Sequence, residues 1–375
     1  MNLPRTRLPD YGLFLQSGFA RLSDQMADVV YGWSFLEETG SSTASGLIMA
    51  SSIGALVCGT FFAGRFIQRF GARNIALTGG WLSVIAATAI AVFYAMDIAS
   101  PVSVAIIAAL GALLDGPAAV ATEVNYPQIA RVGRFELVKL NAIDDGLDNV
   151  ASLIAPGTAA LILSAFSLLG AMISLAVLGL AAVLILTMSL PSFRGSQNRG
   201  VNSLKPALNF IWNDQLIFRL TALFCIAIAL FLAIQLLLIP RAIKFADHSE
   251  TTLALVLFSA GLGGIAGAMA ATRISNILSI KNLVALTLMI LALAAGLILA
   301  ASSIAALCVS GTLAGMAGGL ISAPVATLYQ TRPPMNLRAD VQGVTGALSL
   351  LATPFMIIGP GLLTDSMPID LRPAN

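Results

Sequence analysis

Charged side chains are scarce in this sequence of 375 residues, of which only 10% are Asp, Glu, Lys or Arg while 58% are hydrophobic. Soluble globular chains carry about a quarter charged residues, so this chain has too few to cover a surface that faces water. The net charge of +2 is too small to indicate a nucleic-acid partner. The composition therefore predicts an all-α protein that is embedded in a membrane.

Side chains that bind transition metals are nearly absent. The single histidine, His248, lies in a polar stretch that predicts a loop, and the three cysteines, Cys58, Cys225 and Cys308, lie in apolar runs without a partner at metal-ligand spacing. We therefore expect neither a metal site nor a cofactor. The sequence also has no nucleophile–base pair and no phosphate-binding loop, which indicates that the chain is neither an enzyme nor a motor driven by ATP.

Eleven stretches are long and apolar enough to cross a bilayer core, which takes about 20 residues per helix. They lie near residues 11–36, 43–68, 74–97, 101–126, 141–165, 167–190, 216–240, 251–274, 282–301, 303–327 and 339–364. Arginine and lysine collect before span one and after spans two, four, six, eight and ten, while the opposite loops have almost none except Arg241 and Lys244. Because cytoplasmic loops are enriched in basic residues, this alternation predicts a cytoplasmic N terminus.

Several features repeat at an offset of six spans, as in a protein built from two similar halves. They are the pair Arg65 and Arg73 followed by Asn74 after span two, the pair Arg273 and Lys281 followed by Asn282 after span eight, and the prolines Pro156 and Pro354 within spans five and eleven. We predict a six-helix bundle over residues 1–190, a linker with a short amphipathic helix over 191–214, and a five-helix bundle over 215–375. The second half is one helix shorter, so a twelfth span is expected to be missing.

The loop between spans two and three resembles a family signature. Its residues Gly64, Arg69, Gly71 and Arg73 match the pattern Gly-x3-Asp-Arg-x-Gly-Arg-Arg/Lys of the major facilitator superfamily. Two positions depart from the pattern, because Gln68 stands where the family has Asp and Ala72 where it has a basic residue. In addition, residues 23–47 and 141–157 resemble the enterobactin-exporter and macrolide-efflux branch of that family.

This resemblance implies a major facilitator fold and a function. The fold would have two pseudo-symmetric helix bundles, with six and five transmembrane helices. The protein would be a monomer in the bacterial inner membrane, in contact with lipids, and it would export a siderophore or a drug-like amphiphile by alternating access. Protons would be the coupling ion.

The resemblance also implies that the loop after span two is a cytoplasmic gate. In the family, the Asp of the signature meets the amino end of span eleven, where a negative charge is favourable. Gln68 can still form a hydrogen bond there but brings no charge, so we expect a weaker contact. The alternative is that Arg65, Arg69 and Arg73 serve only the topology and contacts with lipid headgroups.

Span one has a polar face that is unusual for a helix in hydrocarbon. Its polar residues are Gln16, Arg21, Asp24, Asp28 and Tyr31, and span four adds Asp115 and Glu123. Charged side chains persist in a membrane where they pair or line water, so we predict a cavity for substrate and protons. Arg21 can instead pair with Asp24 on its own helix, or with Asp115 across the cavity. Burial of Asp115 would favour its protonated form, as a proton-coupled carrier requires.

Three acids, Asp144, Asp145 and Asp148, are predicted to begin span five on the cytoplasmic side. Acids in a first helical turn are stabilised by the helix dipole, so they are expected to cap the helix. The competing interpretation pairs them with the basic loop, as part of the gate.

Two other functions remain open. One is a divalent metal exporter resembling ferroportin, for which Asp24, Asp28 and Asp115 offer oxygen ligands. The other is a truncated membrane protein that does not transport.

Overall fold

The computed structural model describes residues 9–39, 42–133, 136–190, 204–245 and 250–351, and within these ranges it is helical without strands. The helices are α1 (Pro9–Thr39), α2 (Ser42–Phe70), α3 (Ala72–Ala95), α4 (Pro101–Val124), α5 (Tyr126–Gly133), α6 (Leu137–Ser189), α7 (Lys205–Asn213), α8 (Gln215–Phe245), α9 (Glu250–Ile274), α10 (Ile280–Ala300), α11 (Ile304–Thr331) and α12 (Arg338–Leu350). Several predicted features lie outside the described residues, among them the basic residues before span one, the first part of the linker, His248, and the second half of the last span with Pro354.

Eight helical segments in this part of the chain are long and apolar enough to cross a bilayer. They are Ala50–Phe70, Ala72–Ala95, Pro101–Ala130, Leu137–Leu163, Ala165–Ser189, Leu255–Ile274, Ile280–Ala300 and Ile304–Thr331. A ninth is obtained if α7 and the start of α8, which meet at an angle of 91°, count as one span. Helix α1 covers the predicted first span but is less apolar, because Arg21, Asp24 and Asp28 interrupt it.

The outer faces of these helices expose large apolar side chains. Val102, Leu161, Met188 and Met289 are each more than two thirds exposed. In water such a surface would be costly, whereas in hydrocarbon it is the expected one. The structure therefore fits an all-α membrane protein, as the composition predicts.

Helix α6 contains a break at Ser167, whose φ of 66° and ψ of 178° are not helical. The two segments on either side, Leu137–Leu163 and Ala165–Ser189, are separate candidate spans. The residues from Leu137 to Ser189 therefore form two helical segments that meet at the break near Ser167.

The helices form two groups that meet along a few contacts. Helix α6 packs against α1 and α3, and α4 packs against α2 and α3, while α11 packs against α8, α9 and α10. Contacts between the groups are made by α2 with α12 and by α6 with α9 and α11. Glycine permits the close approach at these contacts, since a Cβ on Gly343 would lie 2.6 Å from the carbonyl oxygen of Thr60.

The corner between α7 and α8 is held by Asp214. Its Oδ1 accepts hydrogen bonds from the backbone N–H groups of Leu216 and Ile217 at 3.0 and 3.2 Å, and its Oδ2 accepts one from Nε of Arg332 at 2.8 Å. Burial acts to raise the pKa of Asp214, but these hydrogen bonds outweigh it and hold the pKa below its usual range. The carboxylate therefore caps α8 and ties it to the end of α11.

Candidate functional site

A cavity of about 1380 Å³ lies between the two groups of helices. Six predicted cavity residues line it, namely Gln16, Arg21, Asp24, Asp28, Asp115 and Glu123. Asp144, Asp145 and Asp148 line it as well, although the sequence suggests either a helix cap or a place in the gate for them. Tyr31 is not among the lining residues and packs, partly buried, against the apolar cluster that contains Met26 and Val30.

Arg21 forms ion pairs with two acids on another helix. Its Nη2 lies 2.9 Å from Oδ2 of Asp144 and its Nη1 lies 3.3 Å from Oδ1 of Asp148, both on α6. The hydroxyl of Ser17 also donates to Asp144. Arg21 therefore docks α1 onto α6, and it pairs with neither of the two acids weighed from the sequence, Asp24 and Asp115.

The expectation that Asp144, Asp145 and Asp148 cap a helix is wrong. Helix α6 begins at Leu137, with Glu136 as its N-cap, so its first turn contains no acid and the three acids lie two to three turns inside it. The apolar residues before Asp144 continue the helical pattern outward. The three acids line the cavity from within this helix, and Arg21 forms ion pairs with two of them.

The basic residues near Gly71 do not pair with those acids either. Arg73 donates to the carbonyl oxygens of Leu190 at 3.0 Å and of Thr187 at 3.4 Å, which are left free at the end of α6. The guanidinium groups of Arg65 and Arg69 lie over the rings of Phe62 and Phe70, at 5.4 and 5.3 Å from the ring centres.

Gly71 itself is the single residue between α2 and α3. Its φ of 86° is one that side-chain-bearing residues rarely adopt, which explains a glycine at this point of the loop.

We call the end of the bundle where α2 and α3 meet the basic side.

Asp24, Asp28 and Asp115 face the cavity without a basic partner within 4 Å in the described chain. Asp24 and Asp28 are one turn apart on α1 and are both exposed to the cavity. Asp115, on α4, accepts a long hydrogen bond of 3.5 Å from the hydroxyl of Ser83, and it lies within electrostatic reach of Asp24. The cavity thus has a group of carboxyl groups available to protons or to a ligand.

The opposite wall, formed by α8 to α12, is mainly apolar. Phe224, Phe231 and Phe258 contribute aromatic rings to it. Gln342 on α12 also lines the cavity; it is only 6% exposed, and its Oε1 has no hydrogen-bond partner. The sequence alone does not identify Gln342, although a glutamine in an apolar span is a signal of the same kind as Gln16.

On the basic side, Gln68 joins α2 to α12. Its Nε2 donates to the carboxylate of Asp340 and, at 3.4 Å, to the backbone oxygen of Asn336. Asp340 lies in the first turn of α12 and is only 1% exposed. Gly64 permits this approach, because a Cβ there would lie 2.5 Å from Cα of Asp340. The acid of this contact is therefore on α12, whereas the family signature has it at position 68.

A second polar contact on the basic side joins α6 to α11. Nδ2 of Asn141 donates to Oε1 of Gln330 at 3.0 Å, and Nε2 of Gln330 donates back to Oδ1 of Asn141 at 3.1 Å. Asn141 also donates to the hydroxyl of Thr327 at 2.9 Å. Asn141 and Gln330 are both buried, and neither is identified by the sequence alone. We interpret these two contacts as the closure of the cavity on the basic side.

In the ranges that the structure describes, no group of three or more His, Cys, Asp or Glu side chains is arranged to hold a metal ion. The alternative of a metal exporter has no such group to support it there.

Comparison with known proteins identifies relatives over nearly the whole chain. The multidrug efflux pump Tap of Mycolicibacterium fortuitum is 24% identical over 352 residues, which cover 90% of this chain and 85% of the relative. The pump of the same name in Mycobacterium tuberculosis is 23% identical over 370 residues, which cover 96% of this chain and 88% of the relative.

Solved structures at lower identity share the fold. The human organic anion transporter TETRAN has a TM-score of 0.75 at 15% identity, over 96% of this chain and 93% of that one. A bacterial homologue of the iron transporter ferroportin in an outward-facing state has a TM-score of 0.71 at 17% identity, over 95% and 92%. These likenesses concern the fold alone. The family model described as Major Facilitator Superfamily matches residues 13–356, and the chain belongs to this family of membrane transporters.

Proposed function

We propose that this protein exports small, drug-like amphiphiles across the bacterial inner membrane by alternating access, with protons as the coupling ion. The observation that carries the proposal is the cavity of about 1380 Å³, which both groups of helices line and which polar contacts close on the basic side. The relatives named as multidrug efflux pumps support a drug as the substrate. A siderophore rests only on the resemblance of residues 23–47 and 141–157 to the enterobactin-exporter branch.

Alternating access requires contacts that close the cavity on one side and that break when the protein opens on that same side. In the described chain, the amide of Gln68 donates to the carboxylate of Asp340, and the amides of Asn141 and Gln330 bond to each other. None of these contacts between the groups is an ion pair. Water can replace such bonds at low net cost when the groups separate. If the basic side is cytoplasmic, as the distribution of Arg and Lys predicts, the closed side faces the cytoplasm.

The acids without basic partners support proton coupling. An ionised carboxylate in a cavity surrounded by protein and lipid is costly unless a partner or water compensates its charge. Asp24 and Asp115 are close enough to repel each other when both are ionised. A proton taken up by this pair when the cavity is empty, and released when a substrate enters, would couple the two fluxes.

The test uses purified protein in liposomes with an imposed pH gradient and three amphiphiles of different charge: ethidium, chloramphenicol and anilinonaphthalene sulfonate. We expect the gradient to drive at least one of them against its own concentration gradient, and nigericin, which collapses the pH gradient, to abolish the movement. The double variant Asp24→Asn/Asp115→Asn should lose it.

The matched control is Asp97→Asn, the same chemical change in the exposed turn after α3. Asp97 has a φ of 57°, a conformation that Asn adopts readily, so this variant should pump normally. Failure of all three amphiphiles to move, or normal pumping by a folded double variant, would contradict the proposal.

A further inference from the structure

The two walls of the cavity differ in charge. All charged residues that line it in the described chain lie on α1, α4 and α6, and the wall of α8 to α12 contributes none. They are Arg21, Asp24, Asp28, Asp115, Glu123, Asp144, Asp145 and Asp148, so a single base faces seven acids. The cavity therefore has seven groups that can carry a negative charge and one that carries a positive charge.

The one base is already engaged. Both terminal nitrogens of Arg21 form ion pairs, Nη2 with Asp144 and Nη1 with Asp148. They are therefore not available to bind an anionic group of a ligand. Protonation can neutralise the remaining acids but cannot supply a positive group. An anionic ligand would therefore meet no free basic partner among the described lining residues.

Two further features point to a ligand that has a positive charge and an apolar body. The rings of Phe224, Phe231 and Phe258 offer apolar contact and, through their faces, attraction for a cation. The Oε1 of Gln342 is a buried acceptor without a hydrogen-bond partner, and it lines the same cavity. The Oδ2 of Asp145 is likewise buried without a partner. A ligand with an N–H or O–H donor could satisfy these buried acceptors.

We infer that the cavity selects cationic amphiphiles, with the positive group at Asp24, Asp28 and Asp115 and the apolar body against the phenylalanine wall. The inference rests on the proposed export function and names the substrate class of that site. Between the two candidates above, it favours a drug that carries an amine over an anionic siderophore.

The test compares two ions of the same shape and opposite charge, tetraphenylphosphonium and tetraphenylborate. Their binding to the full chain in an uncharged detergent is measured by equilibrium dialysis. We expect the phosphonium ion to bind at least about tenfold more tightly than the borate ion, because the carboxylates attract the first ion and repel the second. Asp24→Asn and Asp115→Asn should each weaken binding of the phosphonium ion, and Asp97→Asn should leave it unchanged.

Two more variants separate effects of charge and of hydrogen bonding from effects of folding. Asp24→Glu retains the charge and should retain binding, so a loss in Asp24→Asn but not in Asp24→Glu is an effect of charge rather than of folding. Gln342→Leu removes a hydrogen-bond acceptor and should weaken binding of protonated 4-phenylbutylamine. It should have little effect on tetraphenylphosphonium, which has no N–H group to donate.

Equal or tighter binding of tetraphenylborate would overturn the inference. In that case, movement of anilinonaphthalene sulfonate or chloramphenicol in the liposomes would leave the export function standing. If neither ion binds and none of the three amphiphiles moves, both the inference and the export function fail. Movement of ethidium without the sulfonate would support the inference independently of the dialysis.

Discussion

Arg21 supplies the positive charge among the described residues that line the cavity. It is the one base of the described lining, and it joins α1 to two carboxylates of α6. The Asp144 side chain is only 9% exposed, whereas the side chains of Arg21 and Asp148 are 36% and 41% exposed. The contact with Asp144 is therefore the desolvated one, and it dominates what a substitution at Arg21 will cost.

We expect Arg21→Gln to lower the free energy of unfolding by about 3 kcal/mol, because it leaves Asp144 buried without its cation and beside Asp148. Removal of one partner from a buried pair costs about 3–5 kcal/mol, and the lower end applies because water reaches the arginine. Thermal unfolding in detergent measures the change. Asp148→Asn should cost less, and Arg21→Gln/Asp144→Asn should recover part of the loss. A single variant as stable as the parent protein would show that the pair contributes nothing.

At the scale of elements, α2 and α12 approach each other closely on the basic side. Gly64 faces the backbone of Asp340, and a Cβ on Gly64 would lie 2.6 Å from the backbone nitrogen of that residue. Backbone atoms cannot move aside as a flexible side chain can. The glycine of the family signature therefore has a steric reason in this chain, which is to let α12 lie directly against α2.

We predict that Gly64→Ala forces α2 and α12 apart and favours the state that is open on the basic side. Spin labels at the exposed positions Asn74 and Met335, in a background without cysteines, should report a longer distance and a broader distribution. The control is Gly54→Ala on the same helix, because a Cβ there meets nothing within 4 Å. An unchanged distance in Gly64→Ala would mean that α12 accommodates the methyl group without opening.

The sequence predicts these elements better than it predicts their contacts. Hydrocarbon allows only apolar helices, so composition and the alternation of basic residues locate the spans with little help from tertiary structure. The start of α6 is missed, because the acids at Asp144 resemble a first turn while the helix begins at Leu137. The partners Gln68 and Asp340 are 272 residues apart, and Asn141 and Gln330 are 189 apart. Pairs so distant leave no periodic signal in one sequence.

For the whole molecule, the basic side is held closed at two separate places, between α2 and α12 and between α6 and α11. Both contacts must break together if the two groups of helices rotate as rigid bodies. A change of about 1.4 kcal/mol in the relative stability of the two states alters their ratio tenfold. Single substitutions at either contact are therefore large enough to shift the population.

We predict that Gln68→Asp, which restores the residue of the family signature, weakens closure in this protein. The new carboxylate would face that of Asp340, and like charges about 4 Å apart repel by up to about 4 kcal/mol at an effective dielectric constant of about 20. The spin labels at Asn74 and Met335 should then report more of the open state, and transport should slow if closure on this side limits the cycle.

The decisive comparison is the exchanged pair Gln68→Asp/Asp340→Asn, which returns the acid to α2 and the amide to α12. If a hydrogen bond between one amide and one carboxylate at positions 68 and 340 holds this side closed, the double variant should regain the short distance that Gln68→Asp alone loses. Asp340→Asn alone keeps a hydrogen bond and should open less than Gln68→Asp. A double variant that stays open would show that closure depends on the carboxylate being on α12, not on the pairing of an acid with an amide.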